Sequence, residues 1–262
     1  MKMTLLNDKK SKSENSGGHF FELLKVEFRL ALRTPFGIGL GIVLPFVFLI
    51  LFGLISSAVP GNVGNSGYTV LDLYVPTIMV IGFTFLALVG LPLPLVRYRE
   101  IGWLRRVSTT PVSPSRILAA QLIINLILAL ATILIVIIGS ELIFGATFTV
   151  AIPYFVLSVI LTVAEIFSLG IVVAAIVPTQ TAQQAVSGGL AFLLMFLAGL
   201  WIQPVQAGGI LETIMYYSPS GAAVRTLLDS VFNQALPYTT LVTLVVYTVV
   251  FAFIAIRYFR WE

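Results

Sequence analysis

The chain has no cysteine, a single histidine (His19), and charge on only 10% of its 262 residues. Without cysteine there are no disulfides, no thiolate metal sites and no cysteine nucleophile. The histidine precedes the first long apolar run, which excludes haem or zinc held by histidines within a membrane. The shortage of charge constrains more. A soluble domain carries roughly 25% charged residues, so this sequence cannot build a water-facing surface. A phosphate-binding loop, Gly-x-x-x-x-Gly-Lys-Ser/Thr, is also missing, because every lysine lies at or before Lys25. Beyond Asp8 the only aspartates are Asp72 and Asp229, both near the ends of apolar runs, and no His-Glu-x-x-His occurs. No catalytic residue and no metal ligand is assigned.

What the chain does have is apolar length: 58% hydrophobic residues and a mean hydropathy of +1.04. A helix needs about 20 mostly apolar residues to cross the hydrocarbon. The runs predict six transmembrane helices, near 36–57, 73–96, 117–140, 151–177, 185–203 and 237–256. Open sheet edges do not survive in lipid, so the expected fold is all-α and polytopic. The stretch Pro178-Thr179-Gln180-Thr181 is expected to turn the chain between the fourth and fifth spans. Pro45, Pro76, Pro92 and Pro94 are expected to kink helices or mark their ends. Residues 1–18 read as a disordered polar tail rather than a leader, and 19–262 as one transmembrane domain.

Charge then orients the spans. With the N-terminus inside, every Lys and Arg falls in an inside segment except Arg225, one of 15. Enrichment of Lys and Arg on the cytoplasmic side is the known orientation signal, so both termini are expected in the cytoplasm. The net charge of +4 is read as directed at anionic lipid head groups and a cytoplasmic partner, not at nucleic acid.

Two segments are not expected to span. Over 19–34, Phe21, Leu24, Phe28 and Leu32 recur at helical spacing, with Lys25, Arg29 and Arg33 beside them. That pattern predicts an amphipathic interfacial helix with a basic face, suited to membrane lipid. Residues 204–233, broken by Pro204, Gly208-Gly209 and Pro219, predict one or two short external or re-entrant helices.

The informative loop is 97–116. Ile101, Leu104 and Val107 share one side of a predicted helix, while Arg99, Arg105 and Arg106 spread over the rest. Thr110-Pro111 ends that helix, since proline disfavours helical geometry in the residue before it. Arg97 and Arg99, at the membrane edge, also read simply as orientation anchors. Glu165 stands alone in the middle of the fourth span, where a charge costs on the order of 2.5–3.5 kcal/mol. It reads either as lining a translocation path or subunit interface, or as a hydrogen-bonded staple to neighbours such as Ser158, Thr162 or Ser168.

Glu100-x-Gly102-x-Leu104, a basic stretch and Thr110-Pro111-Val112-Ser113 together resemble the coupling-helix signature of a known family. The family is that of the membrane subunits of type-2 ATP-binding cassette exporters, the daunorubicin-resistance kind among them. Trp103 stands where that family usually has a small polar residue, and Val107 where leucine is common. The Ser218-Pro219-Ser220-Gly221 segment and Pro178-Thr179 are similar to it as well. The resemblance implies a coupling helix that meets a separate ABC ATPase subunit through Glu100, Ile101, Gly102, Trp103, Leu104, Arg105, Arg106, Thr110 and Pro111. It also implies a second permease subunit, identical or related, with ATP and Mg on the partner and no cofactor on this chain. The implied activity is export of a hydrophobic or amphipathic substrate across a bacterial cytoplasmic membrane. An ion-coupled secondary transporter or channel using Glu165 is the alternative.

Overall fold

The computed structural model describes residues 20–33, 35–59, 61, 68–103, 114–146, 148, 151–232 and 238–258. Every regular element among them is helical. Helix α1 covers 20–33, followed by α2 (Pro35–Ala58). Next, α3 (Val70–Phe85) passes through one π-helical turn (Leu86–Gly90) into α4 (Pro92–Glu100). Then come α5 (Pro114–Phe144), α6 (Ile152–Ile176) and α7 (Gln180–Leu197). Three short helices follow, α8 (Pro204–Ala207), α9 (Gly209–Tyr217) and α10 (Pro219–Phe232), before α11 (Tyr238–Tyr258).

Among the described residues, five helices are long and apolar enough to cross a membrane: Gly39–Ala58, Val70–Glu100, Ser115–Phe144, Ile152–Ile176 and Tyr238–Tyr258. The expected fifth run, 185–203, is the one that differs. Its helix starts earlier, at Gln180, and ends earlier, at Leu197. Its first half carries Gln180, Gln183, Gln184 and Ser187, which lowers its hydropathy. Its course still traverses the bundle. It begins beside Glu100, and just beyond its end the Ala198 carbonyl accepts from Thr77 Oγ1 at 3.5 Å, two turns into α3.

Local chemistry explains the helix ends. Thr69 caps α3 in a reciprocal box: its hydroxyl accepts from Asp72 N–H (3.3 Å), and the Asp72 carboxylate accepts from Thr69 N–H (2.9 Å). This satisfies amide groups left open by the first turn and gives Asp72 a structural role. Pro178 forces Val177 into extended geometry (ψ 126°), which ends α6.

Proline also shapes the second span, though less by kinking than by widening. Pro92 has no N–H, so the carbonyl four residues back, Leu88, loses its helical donor. The chain inserts a π turn there, with Leu91 N–H bonding to Leu86 O at 2.9 Å. Leu88 O is taken instead by side chains of α7, Gln183 Nε2 at 2.9 Å and Ser187 Oγ at 2.5 Å. Two polar residues of α7, Gln183 and Ser187, thus serve a carbonyl that Pro92 leaves open. Gly170 of α6 lies so close to this turn that a Cβ there would sit 2.0 Å from Ala87 O.

The core runs between α3, α5, α6 and α10, around Ile78, Phe83, Ile124, Ile166 and Leu227. Helix α10 packs into the bundle, with Ala222, Ala223, Thr226 and Leu227 all buried. The lone cation beyond the orientation pattern, Arg225, pairs there with Asp229 at 3.8 Å and lies 4.4 Å from the Tyr216 ring centroid.

Candidate functional site

The candidate site is the root of the 97–116 loop. Of its expected contact residues, Leu104, Arg105, Arg106, Thr110 and Pro111 lie outside the described residues. The others are placed as follows. Glu100 is the last residue of α4, and Ile101 follows as its cap. Gly102 has φ +67°, a left-handed conformation that glycine adopts without a side-chain clash. Ile101 and Gly102 therefore form the stop of the second span's helix, and Trp103 after them is again helical. Of the expected helical face, Ile101 lies before that break, while Leu104 and Val107 lie outside the described residues. Ile101 is 57% exposed. Trp103 turns back, its ring 4.6 Å from that of Tyr98, and packs near Leu91, Leu95 and Ile117.

The last turn of α4 sends three consecutive side chains to three other elements. Tyr98 donates its hydroxyl hydrogen to the Glu27 carboxylate of α1 (Oε2 at 2.9 Å), which also accepts from Gln121 Nε2 of α5 at 2.7 Å. Arg99 donates to the carbonyls of Ala174 (3.1 Å) and Ala175 (3.4 Å), and also to that of Val177. These are end-of-helix carbonyls on α6 that lack intrahelical donors, and a cation there also suits the helix dipole. The Glu100 carboxylate accepts from Gln180 N–H (3.1 Å) and Gln180 Nε2 (2.9 Å), placing a negative charge at the N-terminus of α7. Thr179 completes that cap by accepting from Ala182 N–H at 3.3 Å.

Helix α1 packs on the bundle through Leu24 and Phe28, while Phe21, 74% exposed, and Leu32 face out. The buried stripe includes Glu27, only 3% exposed. Burial pushes the Glu27 carboxyl above its ordinary range, against the opposing pull of the Tyr98 and Gln121 hydrogen bonds. Lys25, Arg29 and Arg33 are exposed on the other side. Sequence reasoning missed Glu27, Tyr98, Gln121 and Gln180. The available signal was a glutamate sitting a turn on from Leu23 and Leu24, on the apolar side of the helix.

Glu165 is fully buried in α6, and among the described residues neither carboxylate oxygen has a hydrogen-bond partner; nor does Thr162 Oγ1, one turn before it. Of the two readings open for it, a hydrogen-bonded staple to Ser158, Thr162 or Ser168 is not seen among those residues. Ser158 donates to Tyr154 O (2.8 Å), and Ser168 to Ala164 O (2.6 Å). Elsewhere, an apolar groove of about 590 Å3 opens between α5 and α6, lined by Leu126, Leu130, Val159, Val163 and Phe167 with Ser168 at its edge.

Comparison with known proteins agrees with this architecture. Residues 18–232 match the model of the ABC-2 type transporter family. A Cyanophora paradoxa protein named as a transport permease, ycf38, is 32% identical over 117 residues, which is 43% of this chain and 40% of that protein. The chain thus matches less than half the length of that relative. The family match extends from before α1 through α10, taking in the loop root and the π turn. With most of its length matched and five described helices long and apolar enough to cross a membrane, the chain belongs to the ABC-2 type transporter family, a family of membrane transport components.

Proposed function

We propose that the chain is the permease subunit of an ABC exporter of hydrophobic or amphipathic molecules, driven by ATP hydrolysed on a separate subunit. The observation that carries this reading is the anchored loop root. Tyr98, Arg99 and Glu100 tie one helical turn to α1, α5, α6 and α7. A loop leaving so rigid a base can receive force from a partner and pass it to the bundle. The basic residues Arg97, Arg99, Arg105, Arg106 and Arg116 put this end in the cytoplasm, where an ATPase would be found. With α7 read as a sixth crossing, both termini share that side. Residues Gly102 through Pro111 are then the surface the ATPase grips, and a second copy or a related permease completes the membrane pore. The apolar α5–α6 groove supports a lipid-like or drug-like cargo over a charged one.

The deciding experiment is purification of the native complex from membranes with identification of its ATPase, followed by ATP-driven efflux from reconstituted vesicles. Leu104→Asp with Arg105→Asp is expected to leave the permease inserted while abolishing ATP-driven efflux. Normal efflux from that variant would sink the proposal. The ion-coupled alternative is favoured by one observation, the unpaired Glu165 carboxylate. Efflux sustained by a proton gradient without ATP would support it.

A further inference from the structure

The 97–116 loop joins α4 to α5, so on connectivity alone it could move only those two spans. The hydrogen bonds extend further. Arg99 and Glu100 are neighbours in sequence, yet one holds the last carbonyls of α6 and the other the first N–H of α7. Both therefore grip main chain, so a displacement of α4 would drag helix ends rather than bend side chains. Pro178 and Thr179, at the tip of the α6–α7 corner, are exposed, while Ala174 and Val177 just before them pack in apolar clusters with Leu91, Leu95 and Leu88 of the second span. Directly after Glu100 the helix stops at Gly102, making this pair the last fixed point before the loop.

We infer that Arg99 and Glu100 are positioning residues that clasp the α6–α7 corner to the end of α4, so that loop movement reaches four helices instead of two. This rests on reading the loop as the ATPase contact. The clasp binds oppositely charged groups to oppositely polarised helix ends, so its parts are not interchangeable. Exchanging the two residues would set a carboxylate against carbonyls and a guanidinium against an N-terminus.

The natural chain has no cysteine, so introduced cysteines give clean spin-label sites. In the complex purified with its ATPase, labels at Ile101 and Gln184 report the clasp, and labels at Gln184 and Tyr258 report the corner against the last helix. Distances are compared without nucleotide and after trapping with ATP and vanadate. Trapping is expected to shift the 184–258 distance while leaving 101–184 unchanged. In Arg99→Ala with Glu100→Ala, the 101–184 distance should shift or broaden on trapping and the 184–258 shift should be lost. Arg99→Lys and Glu100→Gln, which keep the charge or the acceptor, should behave as the natural chain. If the double variant does not assemble, Glu100→Ala alone is read in the same way. A 101–184 distance that changes in the natural complex, or variants that leave both distances behaving normally, overturns the clasp. If neither distance moves in the natural complex, the ATP-driven reading of the loop itself has failed.

Discussion

Glu27 and Gln121, 94 residues apart in sequence, meet at 2.7 Å, with the Tyr98 hydroxyl closing the other side of the same carboxylate. Through that contact α1 is fixed to the two helices flanking the loop. Removing the acceptor strands a buried donor, Gln121 Nε2, and a half-buried one, the Tyr98 hydroxyl, which costs about 1–3 kcal/mol. Glu27→Ala is thus expected to release α1, seen as faster amide hydrogen exchange across 20–33, whereas Glu27→Gln largely retains its protection. Equal exchange in all three proteins would show the contact to be idle.

The same carboxyl sets a pH response. Its affinity for a proton is higher in the folded protein than in an exposed chain because burial penalises the charge. Its contribution to α1 docking is therefore full below the ordinary carboxylate range and declines as pH rises through the elevated value. Hydrogen exchange of α1 should accelerate over that interval in the natural chain and stay flat in Glu27→Gln. A flat natural profile would mean that the carboxyl is solvated.

Pro92, Leu88 and Ser187 form a testable set. Ser187→Ala leaves Leu88 O with Gln183 alone, and Gln183→Ala with Ser187→Ala leaves it unpaired, at about 1–3 kcal/mol. Pro92→Ala returns an N–H one helical turn away. The double loss should consequently cost less in the Pro92→Ala background, a coupling measurable by thermal unfolding in detergent. Additive costs would mean that Leu88 O does not depend on α7.

Gly170→Ala tests the closest helix approach. Its methyl would meet Ala87 O at 2.0 Å, against backbone that has little room to yield. Overpacking of this kind typically costs about 1–3 kcal/mol, so the midpoint of thermal unfolding should fall. An unchanged midpoint would mean that α6 and the π turn lie further apart.

Glu165→Gln separates folding from transport. A buried carboxylate without a partner contributes nothing to packing that the amide loses, so stability should hold. ATP-driven efflux should drop if the group lines the path, and unchanged efflux would remove it from any mechanism.

Much of this bundle was legible beforehand because lipid imposes one rule, long apolar runs closed on their own hydrogen bonds. Hydropathy found α2, α3, α5, α6 and α11. It set the bounds of α7 too late along the chain, passing over Gln183, which satisfies another helix's carbonyl, a need created by a proline 91 positions before it. At the loop, the sequence pointed to Glu100 and Gly102 but not to what they do. The bond from Glu100 to Gln180 spans 80 residues, and no local pattern encodes a partner at that distance. Periodicity gave α1 no sign of its inward contact, because one buried glutamate looks like solvent to a hydropathy scale.

The widened turn at Leu86–Gly90 carries a consequence for any lengthening or shortening of the chain. It accommodates one residue beyond regular α-helical winding, and an α-helix advances about 100° per residue. Deleting a single residue from this turn would let the coil close up with its far end nearly in place. The same deletion in the regular part of the span would swing everything distal to it around the rod by that angle. The aromatic, the guanidinium and the carboxylate at its tip would then each face the wrong neighbour, though not one of them had been altered.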